Sequence, residues 1–421
     1  GNQSLFKSSG NEQYKKIMRA EEPLLRTYVI EFDGNISPEK FCFYLKKNPE
    51  IEIAEPYYIF DVQGFTPNDP LIANQEDGLK LIRAFDAWEI EKGNPDIVIG
   101  ISDNGMHQTH EDLRDNIATN EADPINGVDD DGNGYIDDYL GWNFLGLKQK
   151  DTALAYALME ETRILRTMDS TTFRAIKRKN KIPYNYIDVK SSYDSIVFEL
   201  EEDIKLSRSI EKSYTYVMDT LRRLISDKIS LNSLASFRPA NDTIKGYVDF
   251  AKYYYEDDYP YDEFMEYLRN KEQSLEICMN LNYDNRVLMQ DQQNNIRDVD
   301  YGNNVFGKNI SILKHGTLVS GVIAHSMLDS TSLKNNTISK KFPTKIMPIT
   351  FTGVGDFTDK EFYLAIKYAV NNGAKIINLS QGKDFSIQPK ILHKALSFAE
   401  KKNVLIVISA GNESLNLDNN W

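Results

Sequence analysis

The stretch Asp96-Ile-Val-Ile-Gly-Ile-Ser-Asp103-Asn-Gly105 is almost continuously apolar and then breaks into an acid, an amide and a glycine. A strand with one wet face alternates apolar and polar residues. A run without alternation suits a central strand of a parallel sheet, covered on both faces. The same texture returns at Lys345–Phe351, Ala374–Ser380 and Val404–Ala410. Between these runs the period changes. Thr358–Asn372 places Phe362, Ala365, Ile366, Ala369 and Val370 at helical spacing, and Gln388–Lys402 does the same with Ile391, Leu392, Ala395, Leu396 and Ala399. Strand–helix–strand–helix–strand predicts right-handed crossovers and an α/β fold, a parallel sheet flanked by helices.

The sheet segments fall in residues 63–146 and 301–421, with different textures around them. Residues 1–23 are polar and lack an apolar period, which reads as a flexible leader. Residues 24–62 read as a small α+β unit. Its parts are a strand at Thr27–Phe32, a helix at Ser37–Leu45 with Ser37 as N-cap and Pro38 at the first helical position, and a strand at Ile51–Phe60. At about 40 residues it is too small to be strongly stable alone. Residues 147–300 are rich in Glu, Lys, Arg and Tyr and read as a helical insertion. Tyr193, Val197, Leu200, Ile204, Ile210, Tyr214, Val217, Leu221 and Leu224 predict one helix of about 50 Å at ~1.5 Å per residue. Shorter helices are predicted over Ala153–Asp169 and Tyr261–Met279. The insertion is expected to be removable without unfolding the sheet.

Composition excludes several classes of function. The 421 residues allow two to four domains, and 41% hydrophobic with 27% charged residues is a globular balance. Asp and Glu number 63 against 49 Lys and Arg, a net charge of -14. That sign disfavours nucleic acid and anionic lipid as partners. No run of about 18 apolar residues marks a transmembrane helix. Two cysteines far apart, Cys42 and Cys278, make neither a disulfide framework nor a Cys-based zinc site.

Three segments could carry chemistry. Asp103 ends a buried strand, and active sites of open parallel sheets form at that edge; an Asp there is also a common turn former. His315 begins an apolar helix with Gly316, Ser320, Gly321 and Ala324 on a small face; a capping His in a tightly packed helix is the plainer reading. Asn412 follows the last strand in Ala410-Gly411-Asn412, where it could be a turn residue or could aim its amide at an oxyanion.

Taken together the three resemble the subtilisin-like serine proteases. Asp103-Asn-Gly matches the family's Asp-Ser/Thr-Gly, and Thr109-His-Glu-Asp-Leu113 resembles His-Pro-Asp-Leu. His315-Gly-Thr with Val319-Ser-Gly321 matches His-Gly-Thr-His-Val-Ala-Gly. Ile377-Asn-Leu-Ser380-Gln-Gly382 resembles the strand that pairs with substrate backbone, and Ala410-Gly-Asn412 matches the oxyanion motif. The resemblance implies a subtilisin-like fold, incomplete at the C-terminus, that hydrolyses peptide bonds. Asp103 would orient the imidazole and His315 would act as general base and then acid. Asn412 would stabilise the oxyanion, and Ser380, Gly382, Ala410 and Gly411 would line the substrate. Residues 24–62 look like the family's inhibitory propeptide, held in its own cleft.

One departure is large. The family's nucleophile lies in a Gly-Thr-Ser-Met-Ala-like segment, and residues 1–421 contain none. The expectation is a truncated, cleaved or partial chain rather than a degenerate protein. A pseudoprotease that binds peptides or joins an envelope assembly is the alternative. Smaller departures are Asn104 for Ser/Thr and Leu318 for the usual His.

The acidic loop Asp129-Asp-Asp131-Gly-Asn133-Gly-Tyr-Ile-Asp137-Asp138 sets oxygens at alternate positions, which suits a hard cation such as Ca²⁺. With Leu140 at the twelfth position it is no EF-hand, and a solvated acidic turn is the plainer reading. Asp112 resembles a further calcium ligand of the family. The resemblance also implies export to the periplasm, cell surface or medium, and the Gly1-Asn-Gln-Ser start is compatible with a preceding lipid-modified cysteine. The insertion would lie near the catalytic edge, where it could gate substrate or dock an envelope partner.

Overall fold

The computed structural model describes residues 37–48, 51, 54, 76–91, 93–148, 150–255, 261–307, 310–325 and 344–412. The chain divides into two compact units. One comprises Gly1–Thr66, Ala73–Ile90 and Gly411–Trp421, and the other Pro67–Ile72 and Glu91–Ala410.

In the first unit, helix α1 spans Pro38–Leu45. Ser37 caps it as the sequence predicts: its Oγ accepts from the Lys40 N–H at 3.4 Å. The proposed leader and the strand at Thr27–Phe32 lie outside the described residues, as does most of Ile51–Phe60. Two short helices follow, α2 at Glu76–Leu81 and α3 at Ala84–Ile90. Trp88 is buried, with Phe85 edge-on at 5.4 Å.

The second unit is built on a sheet. Strand β1 is Val98–Asp103, β2 Trp142–Asn143, β3 Lys345–Thr350, β4 Ile376–Leu379 and β5 Leu405–Ile408. Their spatial order is β2-β3-β1-β4-β5, and all neighbours pair in parallel. β1 is central, which explains its lack of alternation. Ile99 and Ile101 face a cluster with Met106, Leu113, Ala324 and Ile346. The other face of the sheet carries the larger core, in which Met347, Ile349, Ile377 and Leu379 pack with Leu364, Ala365, Ile366 and Ala369.

The helical segment divides the sheet in sequence. Helix α4 covers Glu160–Thr167, α5 Ser170–Asn180, α6 Tyr186–Leu224, α7 Leu231–Ser236, α8 Asp242–Tyr253 and α9 Tyr261–Gln273. The predicted long run is one unbroken helix of 39 residues, α6. Its Val217, Met218 and Leu221 pack on Leu234, Val248 and Ala251 in a core of their own. The helix predicted over Ala153–Asp169 is corrected. Only Glu160–Thr167 is helical, because residues before it bridge to neighbouring extended chain, Ala153 to Gly146 and Tyr156 to Val354. Hydrogen bonds from the sheet domain override the helical spacing there. Helices α5, α7 and α8 were not predicted.

Helix α10 is Ile310–His325, α11 Asp359–Asn371 and α12 Pro389–Lys401. Helix α11 starts with a capping box: Thr358 Oγ1 accepts from the Glu361 N–H at 3.3 Å and Glu361 Oε2 from the Thr358 N–H at 2.9 Å. Among the described residues no helix is long and apolar enough to cross a membrane.

Candidate active site

Strand β1 delivers Asp103 to the C-terminal edge of the sheet, where its register partner on β3 is Thr350. Asp103 is 1% exposed. Its Oδ1 lies 2.8 Å from His315 Nδ1 and accepts from the Asn104 N–H, also at 2.8 Å. The two residues are 212 positions apart in sequence. With Nδ1 turned to the carboxylate, Nε2 is the ring nitrogen left for other work, and the imidazole side chain is half exposed.

The pair is held by contacts that the sequence did not announce. The helix carrying His315 begins at Ile310, not at the histidine, so His315 projects from its second turn and is no cap; the expectation that it begins the helix is corrected. The early turn is apolar through Ile312 and Leu313, which bury themselves and extend the helix backwards. Gly316 is the point of closest approach. A Cβ there would sit 2.0 Å from the Gly105 carbonyl oxygen and 3.2 Å from Asp103 Cβ. Gly105 in turn has φ +102°, a left-handed conformation that favours glycine. The Gly316 N–H donates to Asn104 Oδ1 at 3.2 Å, and Thr317 Oγ1 accepts from the His107 N–H at 3.0 Å. Asn104, read from sequence as a minor departure, is therefore a tie between strand end and helix.

The remaining expected site residues are distributed as follows. Ser380 and Gly382 follow β4 directly, and Ser380 Oγ accepts from Asn378 Nδ2 at 2.8 Å. Ala410 is exposed, two residues past β5. Gly411, with φ 87°, and Asn412 belong to the other compact unit.

In the acidic loop Asp129 and Asp131 come together with a third carboxylate that the sequence reading missed, Asp123. One oxygen from each lies within 4.8 Å of the others. Asp123 is fully buried, and its oxygens accept from the N–H groups of Asp130 at 2.8 Å and Asp138 at 3.0 Å. Asn133 Nδ2 donates to Asp131 Oδ2 at 3.1 Å and Asp138 Oδ2 at 3.0 Å. Asp137 instead ties down the start of the loop, where its Oδ1 accepts from the N–H groups of Asn126 and Gly127, both at 2.7 Å. Asp112 lies on the exposed turn near His110, at 3.9 Å. Among the described residues no Lys or Arg forms an ion pair with Asp123, Asp129 or Asp131. Three clustered carboxylates with all-oxygen chemistry fit a hard divalent cation.

A buried ionic network lies along α11 and α4. Lys383 Nζ is 3.3 Å from Glu160 Oε2 and 2.9 Å from Asp359 Oδ1, and Arg163 Nη2 is 2.6 Å from Glu160 Oε2. Burial alone would raise the Glu160 carboxyl, but Arg163 and Lys383 outweigh it and hold that group below its usual value. Nearby, Arg286 pairs with Asp291 and Glu361, and Lys360 with Asp291 and Asp298.

The molecule is thus an α/β protein with an acid–imidazole pair at the carboxyl edge of a parallel sheet. A model of the subtilase family matches residues 94–421, and the chain belongs to that family. It is similar to the cell wall-associated protease of Bacillus subtilis, 36% identical over 121 residues, which is 28% of this chain and 13% of that protein. It is similar also to a thermophilic serine proteinase of a Bacillus species, 35% identical over 80 residues, 19% of each chain. A C5a peptidase of Streptococcus pyogenes is 32% identical over 113 residues, 26% of this chain and 10% of that protein. The matches thus span a fifth or less of the length of these relatives.

Proposed function

We propose that the protein is a serine endopeptidase of the subtilisin type. The observation that carries this reading is the 2.8 Å contact between buried Asp103 and half-exposed His315. A carboxylate on Nδ1 sets the tautomer in which Nε2 lacks a proton and can act as base. The same carboxylate stabilises the imidazolium that forms once a nucleophile's proton is taken up. His315 then returns that proton to the leaving amine. Ala410-Gly411-Asn412 resembles the family's oxyanion motif, and Ser380 and Gly382 pair with extended substrate backbone. The attacking serine has no counterpart in the family's Gly-Thr-Ser context within residues 1–421.

Residues 24–62 act in this reading as a propeptide. A Ca²⁺ ion held by Asp123, Asp129 and Asp131 would offset two of the three like charges and stabilise the loop. We extend an exported location to the protein; one relative is named as cell wall-associated.

Fluorophosphonate labelling tests the activity. The 421-residue chain should take no label. A form of the protein that carries a Gly-Thr-Ser segment should be labelled once processed, and His315→Ala should abolish the label. A gene product that carries a Gly-Thr-Ser segment, is processed and still resists the probe would overturn the reading in favour of a peptide-binding pseudoprotease.

A further inference from the structure

Past Gly382 the chain runs into residues 383–388, a stretch gripped at several points by the helical segment and also by Asp359 at the start of α11, whose carboxylate accepts from Ser386 Oγ at 3.0 Å and from the Gln388 N–H at 2.9 Å. Lys383, whose side chain is 3% exposed, reaches Glu160 at 3.3 Å, Asp359 at 2.9 Å and the Phe357 carbonyl at 3.2 Å. Phe385 is buried with Ile164, Phe173 and Val189, and its ring stands edge-on to Tyr184 at 4.7 Å. The Tyr184 hydroxyl accepts from the Ser386 N–H and donates to the Ser386 carbonyl, both at 2.7 Å. Asn180 Nδ2 donates to the Ile387 carbonyl at 2.7 Å.

A segment that pairs with a substrate strand must keep its backbone groups in register with the incoming peptide. A misplacement of about 1 Å can cost roughly a hundredfold in rate. Ser380–Gly382 lies beyond the end of β4, where the sheet's ladder no longer holds it. The nearest fixed points downstream are Lys383, Phe385 and Ser386. Their partners on residues 160–189 belong to a segment more than 190 positions away in sequence.

We propose that the base of the helical segment is a clamp: through Glu160, Asn180 and Tyr184 it holds residues 383–388 and thereby sets the position of Ser380 and Gly382 for an extended peptide. This rests on the reading of Ser380 and Gly382 as the substrate-pairing segment. The clamp makes the helical segment a part of the substrate wall. Tyr184 and Asn180 act through Ser386 and Ile387 and are therefore positioning residues.

Tyr184→Phe removes the doubly engaged hydroxyl and keeps the ring against Phe385; Asn180→Ala removes an independent contact. In the chain itself, amide hydrogen exchange over residues 380–388 should accelerate about tenfold or more, with β1 and β3 unchanged. Unchanged exchange in both variants overturns the clamp. In a form of the protein that carries a Gly-Thr-Ser segment, KM for an extended peptide should rise several-fold. Labelling by a small fluorophosphonate, which needs no peptide pairing, should stay within about twofold. A wild-type KM despite faster exchange overturns the positioning role. If that form with otherwise wild-type sequence takes no label, it is the peptidase reading that fails. The clamp is then judged on exchange and on the affinity of the same peptide by fluorescence anisotropy, where a several-fold loss supports it and no loss overturns it.

Discussion

At Gly316 the absence of one carbon sets the distance between two elements. A Cβ would lie 2.0 Å from the Gly105 carbonyl oxygen, a backbone atom that cannot rotate away. Gly316→Ala should therefore push the helix off the strand end. Overpacking of this kind costs about 1–3 kcal/mol, so the melting temperature should fall. The downfield Nδ1 proton resonance of His315, which reports the 2.8 Å contact with Asp103, should be lost. An unchanged melting temperature together with an intact resonance would refute this account of the helix packing.

The acidic loop shows the same logic one level up, in a single element. Its alternate oxygens were legible in sequence, but the buried carboxylate that completes the cluster, Asp123, lies six residues before the run begins. Three carboxylates this close repel one another, and a bound cation removes that repulsion. Ca²⁺ should raise the melting temperature, by an increment equivalent to about 2.7 kcal/mol at a hundred times its Kd. Asp123→Ala should abolish the increment, since it removes a ligand oxygen. Calorimetric titration with no heat at millimolar Ca²⁺ would dispose of the site. The loop's Asp138 is a separate matter: burial raises its carboxyl, against hydrogen bonds from Asn120, Tyr368 and Asn133. It is buried as a support of the loop.

Across the whole molecule, the helical segment and the sheet share buried charge. Removal of residues 147–300 would strip Lys360 of Asp291 and Asp298, Glu361 of Arg286, and Lys383 of Glu160. A buried ion left without its partner costs about 3–5 kcal/mol, and a domain's entire stability is about 5–15 kcal/mol. The deletion should therefore fail to fold, in place of the removable insertion that the sequence leads one to expect. A deletion protein with a cooperative melt would contradict this. The network also has a pH signature. Because the folded Glu160 carboxyl lies below its usual 4.5, its contribution is complete above 4.5. It is lost as pH falls from there through the lower folded value, since the unfolded chain takes up that proton first. Asp356, raised by burial, has the opposite sign. Glu160→Gln should flatten the acid limb of the melting curve against pH, and equal slopes in variant and parent would refute the assignment.

Local periodicity was enough for β1, β3, β4 and β5, for α11 and α12, and for the unbroken α6, because each is specified by neighbours along the chain. The Asp103–His315 pair was legible through short motifs that resemble a known family, although 212 residues separate the two. Other features had no local sign. A Lys after a glycine does not announce that it will be buried. Lys383 is buried because Glu160, 223 residues earlier, supplies the opposite charge. Asn104 looked like a weak substitute for a hydroxyl residue until the helix of His315 came within reach of its side chain. The stretch before Glu160 had helical spacing, yet the extended chain at Gly146 and Val354 offered its backbone better-placed hydrogen bonds. Patterns that repeat every two or four residues are written in the chain. Partnerships between distant polar groups exist only once the chain has folded and excluded the water that would otherwise satisfy them.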